Sequence, residues 1–281
     1  MRFPRFRVLE IAILCLALSQ IVNVRAETAT DWARTDQSGF RLISEREGVK
    51  GLGSVRIGLQ IKLAPGWKTY WRSPGDSGIP PRFDWTGSKN VKDAVVLWPL
   101  PELFETYGLF SWGYHDEVVF PIDITLAEPG KPVDLKLSLQ IGICENVCIP
   151  VTHEFALSLG SGSAELSSEA VVIQEFVRRV PRAIGAAGAV LRDVTAAADS
   201  ENVFTVTARA DQPFNAPDII VEGKDGSYFE LVSKKRSPDG LKAYFTLRGY
   251  LPGKDERMTA QTVTVTVFDD QFSGEKTLRV E

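Results

Sequence analysis

Two cysteines with three residues between them, Cys144 and Cys148, carry the chemistry most readily read from this chain; they lie in Gly142-Ile143-Cys144-Glu145-Asn146-Val147-Cys148-Ile149-Pro150. Two thiols so placed can close on each other and reopen by exchange with another protein's disulfide. A bridge across so short a loop removes little entropy from the unfolded chain and makes a weak staple. A structural disulfide in an exported adaptor module is the alternative reading. A third is a soft-metal or copper-handling site drawing on His153, the nearest imidazole.

Export determines which of these is chemically available. Arg2, Arg5 and Arg7 precede a mostly apolar run from Ile11 to Ile21, and Val24-Arg25-Ala26 offers small residues at a cleavage position. Residues 1–26 therefore read as a secretory signal peptide, cleaved near Ala26, which delivers the protein to the periplasm. Cys15 lies inside that signal and receives no role. The mature chain would retain two sulfurs in a compartment where disulfides persist.

Removing the signal takes the formal charge from −4 to −7. An acidic exported protein is a poor ligand for nucleic acid or anionic lipid. No later segment approaches the roughly 20 apolar residues of a spanning helix, so no stable membrane insertion of the mature chain is expected. Gly185-Ala186-Ala187-Gly188 lacks the Lys-Ser/Thr of a phosphate loop, and two histidines, His115 and His153, support neither a hydrolytic triad nor a dedicated metal site. No cofactor is expected.

The elements that must position the cysteines are strands. Val55 to Leu63, Val118 to Leu126 and Val133 to Ile143 each alternate apolar with polar residues, the period of a half-buried strand. Pro-Gly turns at Ala64-Pro65-Gly66 and Glu128-Pro129-Gly130 separate them. Residues 27–160 thus form a first β-domain. A small, polar stretch around Gly160-Ser161-Gly162-Ser163 opens a linker over 161–181, where Ser168 is placed to cap a short helix carrying Val172, Ile173, Phe176, Val177 and Val180. Alternation returns in Phe204 to Ala210, Leu241 to Leu247 and Thr262 to Phe268, which marks residues 182–281 as a second, sandwich-like β-domain. The fold class is all-β.

Strand parity orients the cysteines. The odd positions 133 to 143 are apolar and face the core, so Gln140, Gly142 and Cys144 point the other way, and Cys148 shares their parity after the loop. If Glu145-Asn146-Val147 is a hairpin loop, the two sulfurs are cross-strand neighbours with Cα atoms about 4.5–5.5 Å apart, within disulfide range. A three-residue loop favours a left-handed residue, so Asn146 takes that conformation or the turn is wider. His153 has core-facing parity, opposite the cysteines.

At these residues the chain resembles a known family. Gly66-Trp67-Lys68-Thr69-Tyr70-Trp71, Pro80-Pro81, Tyr107-Gly108 and the cysteine pair followed by Pro150 are similar to the periplasmic N-terminal domain of the thiol:disulfide interchange protein DsbD, and more closely to ScsB-type reductases linked to copper tolerance. The likeness spans roughly residues 30 to 160. It implies an immunoglobulin-like sandwich whose Cys144–Cys148 disulfide relays electrons from a membrane-embedded thiol reductase to periplasmic thioredoxin-like proteins, with Cys148 joining the partner and Cys144 resolving.

The resemblance also implies a shielding loop at Phe104, Glu105, Tyr107 and Gly108, with Thr106 where the family carries a Phe. Phe110, Trp112 and Tyr114 extend this aromatic segment, and Glu105 or Glu145 could exchange protons with the thiols. The family's cysteines are spaced more widely. Its chains also continue into a transmembrane domain whereas this sequence ends at Glu281, so the donor is expected in trans. The aromatic stretch Trp67, Tyr70 and Trp71 could form a carbohydrate or peptide platform, but Trp67 and Trp71, near a strand end, read rather as core anchors.

Overall fold

The computed structural model describes residues 27–75, 77–253 and 256–281. The signal-peptide reading over 1–26, Cys15 included, lies outside the described residues.

The first eleven strands are β1 (Ala33–Arg34), β2 (Ser38–Ser44), β3 (Ser54–Leu63), β4 (Lys68–Gly75), β5 (Arg82–Asp84), β6 (Val91–Val96), β7 (Glu102–Thr106), β8 (Leu109–His115), β9 (Glu117–Leu126), β10 (Val133–Cys144) and β11 (Cys148–Leu159). They form two packed sheets, one ordered β1-β2-β3-β9-β6 and the other β11-β10-β4-β8-β7, with β5 also on β10. The alternation read from sequence is the alternation of burial: Ile57, Leu59 and Ile61 of β3 and Leu135, Leu137, Leu139 and Ile141 of β10 are buried between the sheets with Phe40, Phe120 and Trp71. Each such side chain, fully withdrawn from water, contributes about 1.5–3 kcal/mol before chain entropy is subtracted.

The single helix among the described residues, α1 (Ala170–Val177), packs on β9 and inserts Ile173 and Phe176 into this first core. It belongs to the first sandwich's packing and does not bridge free space. Ser168 is not its cap. Glu169 occupies the cap position without a side-chain bond, and the Ser167 hydroxyl accepts from the Glu169 amide at 3.1 Å.

Eight further strands follow: β12 (Arg182–Ala183), β13 (Leu191–Ala198), β14 (Val203–Ala210), β15 (Asp218–Glu222), β16 (Tyr228–Arg236), β17 (Lys242–Tyr250), β18 (Thr262–Phe268) and β19 (Ser273–Arg279). They make two four-stranded sheets, β12-β19-β18-β15 and β13-β14-β17-β16, around a second core of Phe204, Phe214, Phe245, Met258 and Val265. The protein is all-β, two sandwiches in sequence with one short helix between them.

The two sandwiches touch through β4 and β8. Arg72 of β4 donates to both carboxylate oxygens of Glu222, at 2.9 and 2.6 Å, and also pairs with Glu275. Trp112 of β8 meets Phe268 edge-on at 6.2 Å, and Ile220 joins the first core. Burial works against the charge of Arg72, but the two carboxylates together hold its guanidinium more firmly protonated than usual.

Candidate functional site

The site is built on β10 and β11, the longest strand pair of the first domain. Their register is unbroken from Val133↔Leu159 to Cys144↔Cys148, so the cysteines form the last rung of the ladder. They are disulfide-bonded, with Cα atoms 4.2 Å apart. The loop 145–147 closes without a left-handed residue: Asn146 does not have a positive φ.

Parity places both sulfurs on the face away from the sandwich core, but that face is not open. Gly142, on the same parity, leaves room for Tyr70 and Ile79: a β-carbon there would stand 2.7 Å from the Ile79 Cβ and 3.2 Å from Tyr70 Cδ2. These two residues roof the end of β10. Cys144, two residues on and paired with Lys68, is 5 % exposed, whereas Cys148 on the edge strand is exposed. The sulfurs are thus unequal, one sheltered and one reachable.

β4 lies next to β10 and contributes from its alternate residues. Thr69 and Trp71 face the sandwich interior, where the Thr69 hydroxyl donates to the Gly142 carbonyl at 2.9 Å. Lys68 and Tyr70 face the cysteines. Lys68 is the register partner of Cys144. The Tyr70 hydroxyl stands 3.0 Å from Cys148 Sγ, and burial raises its pKa, so it stays a neutral phenol able to donate to sulfur. The sequence offers Tyr70 only as part of an aromatic stretch and gives no direct sign of this contact. The one indirect signal is the parity Tyr70 shares with Lys68, opposite Trp71.

The aromatic segment proposed as a shield is the β7–β8 hairpin. Thr106 pairs with Leu109, and Tyr107 and Gly108 make a two-residue turn with φ of 54° and 77°, the left-handed pair of a tight hairpin. The register between β4 and β8 shifts between Tyr70 and Gly75. Phe104 lies against the Lys68 ammonium at 5.1 Å and edge-on to His115 at 6.0 Å. Lys68 Nζ donates to Thr106 Oγ1 at 2.8 Å, and the Tyr107 hydroxyl reaches Asn146, in the cysteine loop, at 3.4 Å.

Of the residues picked from sequence for the shield, Phe104 packs on Lys68, the cross-strand partner of Cys144, and Tyr107, itself exposed, reaches the cysteine loop only through its hydroxyl at Asn146. Glu105 is exposed opposite Phe110, and Gly108 serves the turn. Tyr114 is buried, its hydroxyl donating to the Pro99 carbonyl at 2.7 Å, and Trp112 belongs to the domain contact. Phe110 lines the cleft between the domains with Leu103 and Tyr228. Glu145 is exposed, its carboxylate folded toward Gly66.

His115 sits at the hairpin's base, with Nδ1 2.7 Å from Asp116 and Nε2 3.0 Å from Glu102. The Asp116 hydrogen bond leads in raising its pKa. His153 packs on Phe40 at 4.7 Å, away from the sulfurs, and burial lowers its pKa. Among the described residues no group of three or more His, Cys, Asp and Glu is placed to hold a metal ion, and no helix is long and apolar enough to cross a membrane.

Comparison with known proteins agrees with this geometry. Residues 46–159 match the family described as thiol:disulfide interchange protein DsbD, N-terminal, and residues 179–281 match a domain of unknown function, DUF8393. The crystal structure of the N-terminal periplasmic domain of ScsB from Proteus mirabilis is similar over 90 % of this chain and 98 % of its own, at 25 % identity and a TM-score of 0.70. The reduced N-terminal domain of DsbD from Neisseria meningitidis aligns over 42 % of this chain and 86 % of its own, at 19 % identity and a TM-score of 0.27. No curated protein sequence matches. The chain is a periplasmic protein with a domain of the DsbD N-terminal type over residues 46–159, similar along nearly its whole length to the N-terminal periplasmic domain of ScsB.

Proposed function

We propose that this protein is a thiol–disulfide relay, taking two electrons from a membrane-embedded thiol reductase and passing them to thioredoxin-like proteins through the Cys144–Cys148 pair. The observation that carries the proposal is the inequality of the two sulfurs. An exposed Cys148 with a phenol at 3.0 Å can meet a partner's sulfur, and a 5 % exposed Cys144 one rung away can resolve the product.

In the loading direction a donor thiolate attacks Cys148 Sγ, the Cys144–Cys148 bond breaks, and its electron pair leaves on Cys144. The donor's second thiolate then attacks the donor sulfur of the mixed disulfide and releases Cys148. In the delivery direction the Cys148 thiolate attacks the acceptor's disulfide and expels one acceptor thiolate. Cys144 then attacks Cys148 Sγ, restoring the internal bond and freeing the reduced acceptor. Tyr70 contributes by donating its O–H to the sulfur that carries charge at the attacking stage. The β7–β8 hairpin, tethered at Asn146 and Lys68, limits encounters with unrelated thiols until a partner displaces it.

The reduction potential tests this reading. A relay equilibrates with its partners and should lie above about −300 mV, whereas a structural bridge lies below that value. A value in the structural range argues for the adaptor reading.

A further inference from the structure

Lys68 is 7 % exposed, and among the described residues no ion pair joins its ammonium to a carboxylate. Its ammonium is held by a neutral hydroxyl, Thr106 Oγ1 at 2.8 Å, and by the face of Phe104 at 5.1 Å. A buried charge without a counter-ion is costly, and desolvation indeed depresses the Lys68 pKa. The sheet register suggests why a cation is kept there. Lys68 is the direct cross-strand partner of Cys144, on the same face, where neighbouring β-carbons lie about 4.5–5.5 Å apart. In the disulfide state Cys144 carries no charge. When the bond opens it becomes the leaving thiolate, in a place sheltered from water.

We propose that Lys68 is a positioning residue that supplies the counter-charge for the Cys144 thiolate released when the Cys144–Cys148 bond opens. The inference rests on the relay reading and deepens it. A donor thiolate forms a bond to Cys148 Sγ, the internal S–S bond breaks, and the electron pair remains on Cys144 Sγ beside the ammonium. A better-stabilised leaving thiolate departs faster. The same ammonium ties down the hairpin through Thr106, so the new thiolate competes for it and loosens that tether. Opening of the bond and opening of the shield are thereby linked through one side chain.

Other charged or titratable groups facing this corner are already engaged or differently placed. His115, the Lys68 partner on β8, is held by Asp116 and by Glu102 of β7. Glu145 in the cysteine loop folds toward Gly66, Glu105 is exposed on β7, the Tyr107 hydroxyl points at Asn146, and Tyr70 serves Cys148.

The test reads the thiolate itself and needs no exchange partner, so its failure is distinct from failure of the relay. In full-length protein carrying Cys148→Ser, the pH midpoint of the Cys144 thiolate is taken from absorbance at 240 nm, with a Cys144→Ser/Cys148→Ser protein subtracted. Adding Lys68→Met should raise the midpoint by about one unit or more. It should also exceed the midpoint of the same protein in denaturant, because a folded, sheltered thiol without its cation titrates above an exposed one. Lys68→Arg should return it to within a few tenths of the parent. An unchanged midpoint in Lys68→Met overturns the proposal, as does a Lys68→Met midpoint equal to the denatured value or a rise that Lys68→Arg fails to reverse.

Discussion

Tyr70 and Arg72 stand two residues apart on one face of β4, so the strand that brings a hydroxyl to Cys148 also carries the guanidinium that binds the second domain at Glu222 and Glu275. The second domain contributes no sulfur or other redox group to the site. It is joined to the site through β4 and through the β7–β8 hairpin, whose Leu103, Phe110 and Trp112 face it.

Replacing Tyr70 by Phe removes a single hydrogen bond from Cys148 and leaves the ring in place. A hydrogen bond worth about 1 kcal/mol corresponds to roughly a fivefold effect. Alkylation of Cys148 by iodoacetamide at pH 7, measured in a Cys144→Ala background, should slow by that order with little change in melting temperature. An unchanged rate would remove Tyr70 from the mechanism.

Arg72→Ala should loosen the two domains. It leaves Glu222 and Glu275 facing each other without their cation, at a cost of about 2 kcal/mol, below the value for a fully buried pair because the three side chains keep some solvent contact. Calorimetry should show the unfolding transition broaden or split, and proteolysis between the domains should accelerate. A single unshifted transition would mean that Trp112, Phe268 and Ile220 hold the domains unaided.

Gly108→Val places a β-branched side chain at a φ of 77° in the hairpin turn, at a cost of about 1–2 kcal/mol. The penalty falls on the shield and not on the core. Dithiothreitol should reduce the Cys144–Cys148 bond several-fold faster in this variant, with the global melting temperature little changed. Equal reduction rates would show that the hairpin does not restrict access.

The two histidines should titrate on opposite sides of the ordinary value of 6.5 in a proton NMR titration, His115 above it and His153 below. Because His115 is raised in the folded state, its stabilising contribution is complete below 6.5 and is lost as pH rises through its folded pKa. The half-exposed ring limits that contribution to a few tenths of a kcal/mol. His153 acts in the opposite sense: its burial as the neutral ring costs stability as pH falls below 6.5. His115→Gln should therefore destabilise slightly at pH 5.5 and leave stability at pH 8.5 unchanged, and the reverse pattern would refute the assignment.

Much of the frame could be read from residue spacing. The alternation in Val55 to Leu63, Val118 to Leu126 and Val133 to Ile143 gives β3, β9 and β10 to within one residue at either end, because one face of each is buried and the pattern survives in the types. Parity likewise put both cysteines on one face and His153 on the other. Less legible were places where both faces are covered. In β4, Trp71 points inward and Tyr70 outward, yet both are 1 % exposed, so period two disappears from hydrophobicity and the residue types do not single out Tyr70 as facing the sulfurs.

The surroundings of the cysteine pair are hidden for a related reason. They are assembled from Tyr70 and Ile79 at Gly142 and from a hairpin some forty residues upstream that reaches Lys68 and Asn146, contacts between distant segments that leave no local trace. The helix is legible, but residues 161–181 read as a linker because Ile173 and Phe176 announce an apolar face without saying which core receives it. Ser167 displaced Ser168 as the hydroxyl at its start because Ser167 is also anchored on the Ser44 carbonyl.

The central claim is that Cys148 is the sulfur a partner meets and Cys144 the one that resolves. It is tested most directly by offering Cys144→Ala and Cys148→Ala proteins to a thioredoxin-like acceptor whose single remaining thiol is activated with thionitrobenzoate. A covalent complex through Cys148 is expected in the Cys144→Ala protein, formed at least about tenfold faster than any complex of the Cys148→Ala protein. Equal rates for the two variants, or no complex with either, would contradict it.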